Sequence, residues 1–297
     1  MTARTSGDGL EQGRSGRTIT LDTTLARKAG AELLGTALLV FFGAGVATVT
    51  FGFRAFGGSI AAGVLTTGLA FALVLIGLIA LFGTVSGCHV NPAVTLGAYL
   101  TRQIELVDAV AYWIAQVIGS ILGALLLLWV MHTSPAYIKS VIGLGTNGYG
   151  SESLLRVSAG GAFLTEIIIT TVFVMIVLHV FRKGAIVPVP GVVVGFSLGL
   201  MNIMAIPIDG ASVNPARSLG PAVVRGGQPL SQLWVFLLAP LIGAVLAAGL
   251  YLLFHPAPDG ASAEEGQDSA QPEPGAAREL LALWPLAAAV RRSPGDC

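Results

Sequence analysis

Two copies of the triplet Asn-Pro-Ala are the residues of this sequence best suited to act on a polar molecule. Each copy follows a long apolar run. Asparagine is favoured as a helix N-cap and proline at the first helical position, so each triplet predicts the start of a helix. The asparagine oxygen would cap that helix, and we predict that the amide NH2 group remains free to donate into a lumen. Two amide donors beside two positive helix ends would attract a neutral polar molecule and repel cations. The motif residues are Asn91, Pro92, Ala93, Asn214, Pro215 and Ala216.

The elements that position these triplets are long apolar segments. The chain has 297 residues and is 54% hydrophobic and 11% charged, whereas a soluble domain carries about 25% charged residues. A helix needs about 20 apolar residues to cross the hydrocarbon of a bilayer, and lipid leaves helices as the form that fits such runs. The sequence therefore predicts an all-α polytopic membrane protein with six transmembrane helices. The six stretches run over 29–51, 57–82, 107–131, 161–181, 185–207 and 233–254.

The two halves of the chain form an internal repeat, one over 26–131 and the other over 161–254. Each half has an acid early in its first span, Glu32 or Glu166, and an Asn-Pro-Ala triplet after its second. Since three spans per half is an odd number, the second copy must insert with opposite topology. Inverted repeats place their functional site near the midplane, at discontinuous helices. The triplets therefore predict two re-entrant half-helices, each about ten residues or ~15 Å long.

Basic residues predict the orientation of the membrane-spanning domain, residues 26–254. The side that holds the N-terminus is slightly richer in Arg and Lys close to the spans, so we predict that both termini are cytoplasmic. Residues 1–25 predict a polar tail, and residues 255–297, rich in Pro, Gly, Ala and acids, predict a disordered tail. The basic residues counted are Arg27, Lys28, Arg102, Arg182 and Lys183 on the inner side, and Arg54, Lys139, Arg156 and Arg225 on the outer side.

Residues 26–254 resemble the major intrinsic protein family, the aquaporins. The resemblance is carried by AELLGT (31–36), SGCHVNPAVTLGAY (86–99), AQVIGS (115–120) and SVNPARSLGPA (212–222). It implies a passive channel in the cell membrane, a homotetramer and no cofactor. Within the family, the chain looks more like the orthodox water channels than the glycerol-conducting branch, because Ser218 stands where that branch usually has Asp.

The resemblance also implies a selectivity filter. Arg217 follows the second triplet, whereas the first copy has Val94 at the same place. A cation there opposes the helix dipole and lies at membrane depth, which favours a functional role over an arginine that extends to the lipid headgroups. The family pattern adds Phe71, Asn202 and Ala211. Water-selective members usually have histidine at the place of Asn202, so we expect a somewhat wider or differently polar filter.

The short loops before the triplets are predicted to line the pore. His89 either orients loop carbonyls or packs passively, and Cys88 either faces the lumen, like its repeat equivalent Ala211, or is a buried thiol. Glu32 and Glu166 are predicted to accept hydrogen bonds from loop N–H groups; the alternative is a proton-coupling pair. The predicted loop residues are Gly87, Cys88, His89, Gly210, Ser212 and Val213.

The sequence favours a channel for water and small neutral solutes such as ammonia or glycerol. A proton-coupled secondary transporter is the alternative, since transporters also use inverted repeats and broken helices. An enzyme is disfavoured, because no Ser-His-Asp set, HExxH motif or catalytic carboxylate pair is found. Scattered histidines and cysteines predict no metal site. With 16 basic and 16 acidic residues, the chain lacks the basic excess that nucleic-acid binding requires.

Overall fold

A computed structural model describes residues 23–255, with the exception of 56 and 183. Within that part the chain forms helices, turns and loops but no strand. Six of its helices are long and apolar enough to cross a membrane, which confirms the predicted number of spans. The predicted tails, 1–25 and 255–297, lie almost wholly outside the described residues. The helices are α1 (Thr23–Ala47), α2 (Ile60–Ser86), α3 (Pro92–Leu100), α4 (Leu106–His132), α5 (Lys139–Ile142), α6 (Ala159–Val180), α7 (Pro190–Asp209), α8 (Pro215–Arg225) and α9 (Gln228–Phe254).

The two triplets begin the short helices α3 and α8. These helices have 9 and 11 residues, about half of what a bilayer-spanning helix needs. Proline occupies their first position and asparagine caps both, as the sequence predicts. Each half-helix also packs against the last long helix of the other repeat, α3 on α9 and α8 on α4. The halves are therefore interlocked rather than placed side by side.

Glycines allow the long helices to approach closely. A Cβ atom added to Gly119 or Gly123 of α4 would lie against the carbonyl oxygens of Leu33 and Ala37 in α1. In the second repeat, a Cβ on Gly243 of α9 would lie 2.9 Å from the carbonyl oxygen of Ile167 in α6. The small residues of α4 thus mediate packing inside one subunit, a question that the sequence leaves open.

Polar side chains lie inside this helix bundle and apolar ones outside. Leu73, Leu81 and Leu253 are each more than 60% exposed, as suits side chains that face lipid. By contrast, Glu32 and Glu166 are fully buried. Because hydrocarbon offers no hydrogen-bond partner, ionisable groups at this depth must find partners within the protein.

The bundle has two faces, and each of them carries an ion pair. The terminal face is the one where α1 begins and α9 ends; the loop face is opposite and carries residues 133–158. On the terminal face Lys28 pairs with Asp108 at 3.0 Å. On the loop face Arg225 pairs with Glu152 at 2.8 Å.

Candidate pore and filter

The asparagines of the two triplets cap the half-helices with their side-chain oxygens. Asn91 Oδ1 accepts a hydrogen bond from Ala93 N at 2.9 Å. Asn214 Oδ1 accepts from Ala216 N at 2.9 Å and from Arg217 N at 3.2 Å. These bonds satisfy N–H groups that have no partner within the helix, and they fix the orientation of each asparagine side chain.

The amide nitrogens of the same two residues are not left free, which corrects the prediction from the sequence. Asn91 Nδ2 donates to the carbonyl of Val213 at 3.0 Å, and Asn214 Nδ2 donates to the carbonyl of Val90 at 2.8 Å. Each asparagine thus binds the residue that precedes the other. Because an amide NH2 has two hydrogens, one hydrogen of each joins the half-helices and the second remains for a solute.

The loops that lead into the half-helices have an unusual backbone. Gly87 and Gly210 end α2 and α7 with φ of 86° and 88°, a conformation that glycine adopts easily. Four non-glycine residues then also have positive φ, between 43° and 57°, which is uncommon and costs free energy. Such a backbone persists only where its surroundings hold it. The four residues are Cys88, Val90, Ala211 and Val213.

In the first repeat, the carboxylate of Glu32 holds this backbone. Its Oε1 accepts from His89 N at 2.9 Å and Ser86 Oγ at 2.7 Å. Its Oε2 accepts from Val90 N at 2.6 Å and Gln116 Nε2 at 2.8 Å. All of these donors are part of the loop or of helices packed on it, so the geometry favours the loop-supporting role over proton coupling.

In the second repeat, Glu166 has the same position and role. Its two oxygens accept from Ser212 N at 2.6 Å and Val213 N at 2.8 Å. Beside it lies Asp209, which sequence analysis missed. Asp209 Oδ1 accepts from Ala211 N at 3.0 Å, whereas no N–H or hydroxyl group donates to its buried Oδ2, and the carboxyl group lies within hydrogen-bonding range of Glu166. An acid at the end of an apolar span was the available signal, because ionisable residues at membrane depth are rare.

Arg217 is held by backbone and side-chain oxygens on the loop face. Its Nη1 donates to Gly145 O at 2.8 Å and Asn147 Oδ1 at 2.9 Å, and its Nη2 contacts Gly210 O at 3.4 Å. The guanidinium carbon lies 5.0 Å from the centre of the Phe71 ring, within the range of a cation–π contact. The sequence gives no signal for the roles of Gly145 and Asn147, which belong to an irregular loop.

A narrow cavity of about 10 Å³ runs past these groups, which is about the room that one water molecule needs. It brings together three of the four predicted filter residues with both triplet asparagines. The fourth, Ala211, is buried outside this lining, as is Cys88. The polar lining consists of Asn91, Asn214, Asn202, His89, Ser212 and Arg217, and the apolar lining of Leu39, Phe71, Leu75, Val90, Phe173 and Leu198.

Asn202 has one end fixed and the other unpaired. Its Nδ2 donates to Leu198 O, one helical turn earlier, at 2.9 Å. Its Oδ1 is buried without a hydrogen-bond partner in the protein. Asn202 and Arg217 both line the cavity, so an acceptor without a protein partner lies in the same lining as a guanidinium group. Further along, His89 Nδ1 lies 3.1 Å from Thr95 Oγ1, and its ring packs edge-on against Tyr112.

A wider vestibule of about 240 Å³ opens on the loop face beyond Arg217. Its walls come from the ends of α1 and α7 and from residues 141–154. Thr67, Glu152 and Arg225 contribute polar groups to it. The sequence did not predict this vestibule, because its walls come from five separate segments that only the fold brings together.

A narrow cavity lined by the start of both half-helices, within a bundle of six helices long and apolar enough to cross a membrane, is the arrangement expected of a membrane channel. The chain belongs to the major intrinsic protein family, whose model matches residues 20–251. It is therefore a passive channel for water or small solutes in a membrane, and not an enzyme. The transporter alternative is set aside on the same ground.

Named relatives fall on both sides of the family. The chain is 38% identical to the glycerol uptake facilitator protein-like 6 of Lactiplantibacillus plantarum, over 75% of this chain and 95% of that protein. It is 35% identical to aquaporin Z of Rhodopseudomonas palustris, over 77% and 94%. The X-ray structure of the aquaglyceroporin from Plasmodium falciparum matches its fold with a TM-score of 0.64 at 23% identity, over 76% of this chain and 95% of that one.

Proposed function

We propose that the chain forms a water pore that excludes protons and other cations. One observation carries this proposal: Asn91 and Asn214 each donate a hydrogen bond to the loop that precedes the other half-helix. This arrangement leaves one amide hydrogen of each asparagine beside a cavity with room for about one water molecule. A water that accepts from these donors points both its hydrogens away from them, which interrupts a chain of proton transfer.

Arg217 adds a second barrier. Its charge is buried beside the cavity, where it repels any cation that enters. At a near-surface effective dielectric, two unit charges ~4 Å apart repel by about 4 kcal/mol. Neutral water meets no such cost. The two half-helix N-termini act in the same direction, since each carries a partial positive charge.

The filter lined by Phe71, Asn202 and Arg217, with the small Ala211 buried outside that lining, also passes neutral solutes slightly larger than water. Asn202 and Ala211 are small, and the unpaired Asn202 Oδ1 accepts a hydrogen bond from a solute such as ammonia or glycerol. Water remains the fastest solute because the cavity has room for little more than one water molecule. The rank order of the larger solutes then depends on how well each pairs with Asn202 and Arg217.

The channel lies in the cell membrane as a homotetramer, with both termini in the cytoplasm. The basic residues near the spans support this orientation. In this orientation the terminal face lies inside, and the loop face, with its vestibule and filter, lies outside.

Stopped-flow light scattering on reconstituted vesicles tests the proposal. We expect fast osmotic shrinkage with a low activation energy, slower entry of ammonia and glycerol, and no proton current. Empty vesicles are the control. Water flux with the rate and temperature dependence of bare lipid, or a proton current that rises with protein content, would contradict it.

A further inference from the structure

An ion pair beside the vestibule is connected to the filter through a single loop segment. Arg225 is the last residue of α8, and its Nη1 donates to Glu152 Oε2 at 2.8 Å and to Thr146 Oγ1 at 2.7 Å. The two charged side chains are 16% and 22% exposed. Because the pair is largely shielded from water, it is screened less than a surface ion pair.

Thr146 is the link to the filter. It lies between Gly145 and Asn147, the two residues whose oxygens accept from Arg217 Nη1. Arg225 thus binds the middle residue of the segment that holds Arg217. Gly143, with φ of 69°, lies against the Arg225 guanidinium on the approach to this segment. Residues 145–147 therefore bind Arg225 at the end of α8 and Arg217 near its start.

The orientation of Arg217 depends on that segment. Its Nε is buried without a hydrogen-bond partner, so two of the three oxygens that hold the guanidinium belong to Gly145 and Asn147. Asn147 Oδ1 also accepts from Ser218 Oγ at 2.8 Å. If residues 145–147 move, Arg217 loses its main contacts while the half-helix stays in place.

We propose that Arg225 and Glu152 are a positioning pair that fixes Arg217 through residues 145–147 and so sets which solutes the filter excludes. The inference rests on the proposed function. Neither Arg225 nor Glu152 lines the narrow cavity. Its effect is on discrimination between water and larger neutral solutes, because a displaced Arg217 widens the neck without closing it.

The test compares reconstituted full-length variants by their ratio of glycerol or urea permeability to water permeability. Arg225→Gln and Glu152→Gln should raise this ratio roughly three- to tenfold, the scale on which small changes in a binding pocket alter discrimination. Water permeability should stay within about twofold of wild type, since the asparagine contacts are untouched. Arg225→Lys keeps the charge and a donor for Thr146, so it should restore most of the exclusion.

Two further variants separate this role from general damage. Lys28→Gln breaks the comparable ion pair on the terminal face, 3.0 Å from Asp108, and should leave the ratio unchanged. Thr146→Val removes one hydroxyl and provides a second route if the charge variants do not fold. It should also raise the ratio.

The outcomes are distinguishable. If wild type conducts water but neither Arg225→Gln nor Thr146→Val changes the ratio, the positioning role is wrong while the proposed function stands. An equal rise in Lys28→Gln would also overturn it, since loss of any ion pair would then suffice. If wild type does not conduct water, the proposed function fails and this inference fails with it.

Discussion

In repeat one the carboxylate of Glu32 accepts two hydrogen bonds at each oxygen; in repeat two the carboxylate of Glu166 accepts one at each from the loop backbone. The residue beside them differs as well. Ser86 donates to Glu32, whereas its equivalent 123 positions later, Asp209, is a second acid beside Glu166. In repeat one the loop is thus held by a carboxylate with four donors. In repeat two the equivalent loop is held by a carboxylate with two backbone donors and a neighbouring acid.

The difference continues toward the pore. Val94 and Arg217 are equivalent by the same offset of 123, and only the second reaches across the passage to Phe71. Repeat one is a support for its half-helix, while repeat two is a support that also carries the filter. The contacts that both repeats share therefore build the passage, and the few residues that differ between the repeats select which solutes pass.

The largest effect is expected from making the filter side resemble repeat one. Arg217→Val copies Val94 and removes the fixed charge from the neck. We expect the ratio of glycerol to water permeability to rise about tenfold or more, with measurable proton or cation leak and retained water flux. Val94→Ala, at the equivalent place, should change neither. Intact exclusion in Arg217→Val vesicles would show that the asparagine region alone selects.

Substituting the two acids tests the support itself. In Glu32→Gln, whichever oxygen becomes an NH2 group faces two donors, whereas in Glu166→Gln it faces one and has the free Asp209 Oδ2 to donate to. Hydrogen bonds to charged groups contribute about 1.5–3 kcal/mol each. Glu32→Gln should therefore lower the thermal unfolding midpoint in detergent more than Glu166→Gln. Equal shifts would mean that the extra donors of repeat one add no stability.

A smaller effect is expected from a substitution at Asn202. Asn202→His adds bulk and removes the unpaired acceptor from its present place. Glycerol and ammonia permeability should fall roughly threefold to tenfold, and water permeability should fall less. Flux of each solute is measured in the same vesicle preparation. If no solute permeability changes, the Asn202 side chain does not contribute to the filter.

The smallest effect is expected from restoring symmetry beside Glu166. Asp209→Ser copies Ser86, supplies a donor to Glu166 and removes a buried oxygen to which no N–H or hydroxyl group donates. Water flux should stay within about twofold and stability should be equal or higher. Ser86→Asp is the matched opposite change and should destabilise the protein, because repeat one has no positive charge at the place equivalent to Arg217. A loss of solute exclusion in Asp209→Ser would instead give Asp209 a part in holding Arg217.

The spans and half-helices were predictable because their signals are local. Apolar length marks a membrane span, and Asn followed by Pro marks a helix start, whatever surrounds them. The acids were predictable from their matching places in a repeat. The contacts of Asn91 with Val213 and of Arg217 with Asn147 were not, since they join residues 122 and 70 positions apart. Only the docked fold decides which carbonyl meets which donor.

The reciprocal bonds of the two asparagines also bear on how the channel comes into being. Each half-helix is completed by a carbonyl from the other repeat, so the first half cannot finish its loop until the second has entered the bilayer. A partly synthesised chain consequently has no finished passage. We expect the growing protein to remain impermeable throughout insertion and to open a route for water only when its last helices arrive, which spares the cell a leak during biogenesis.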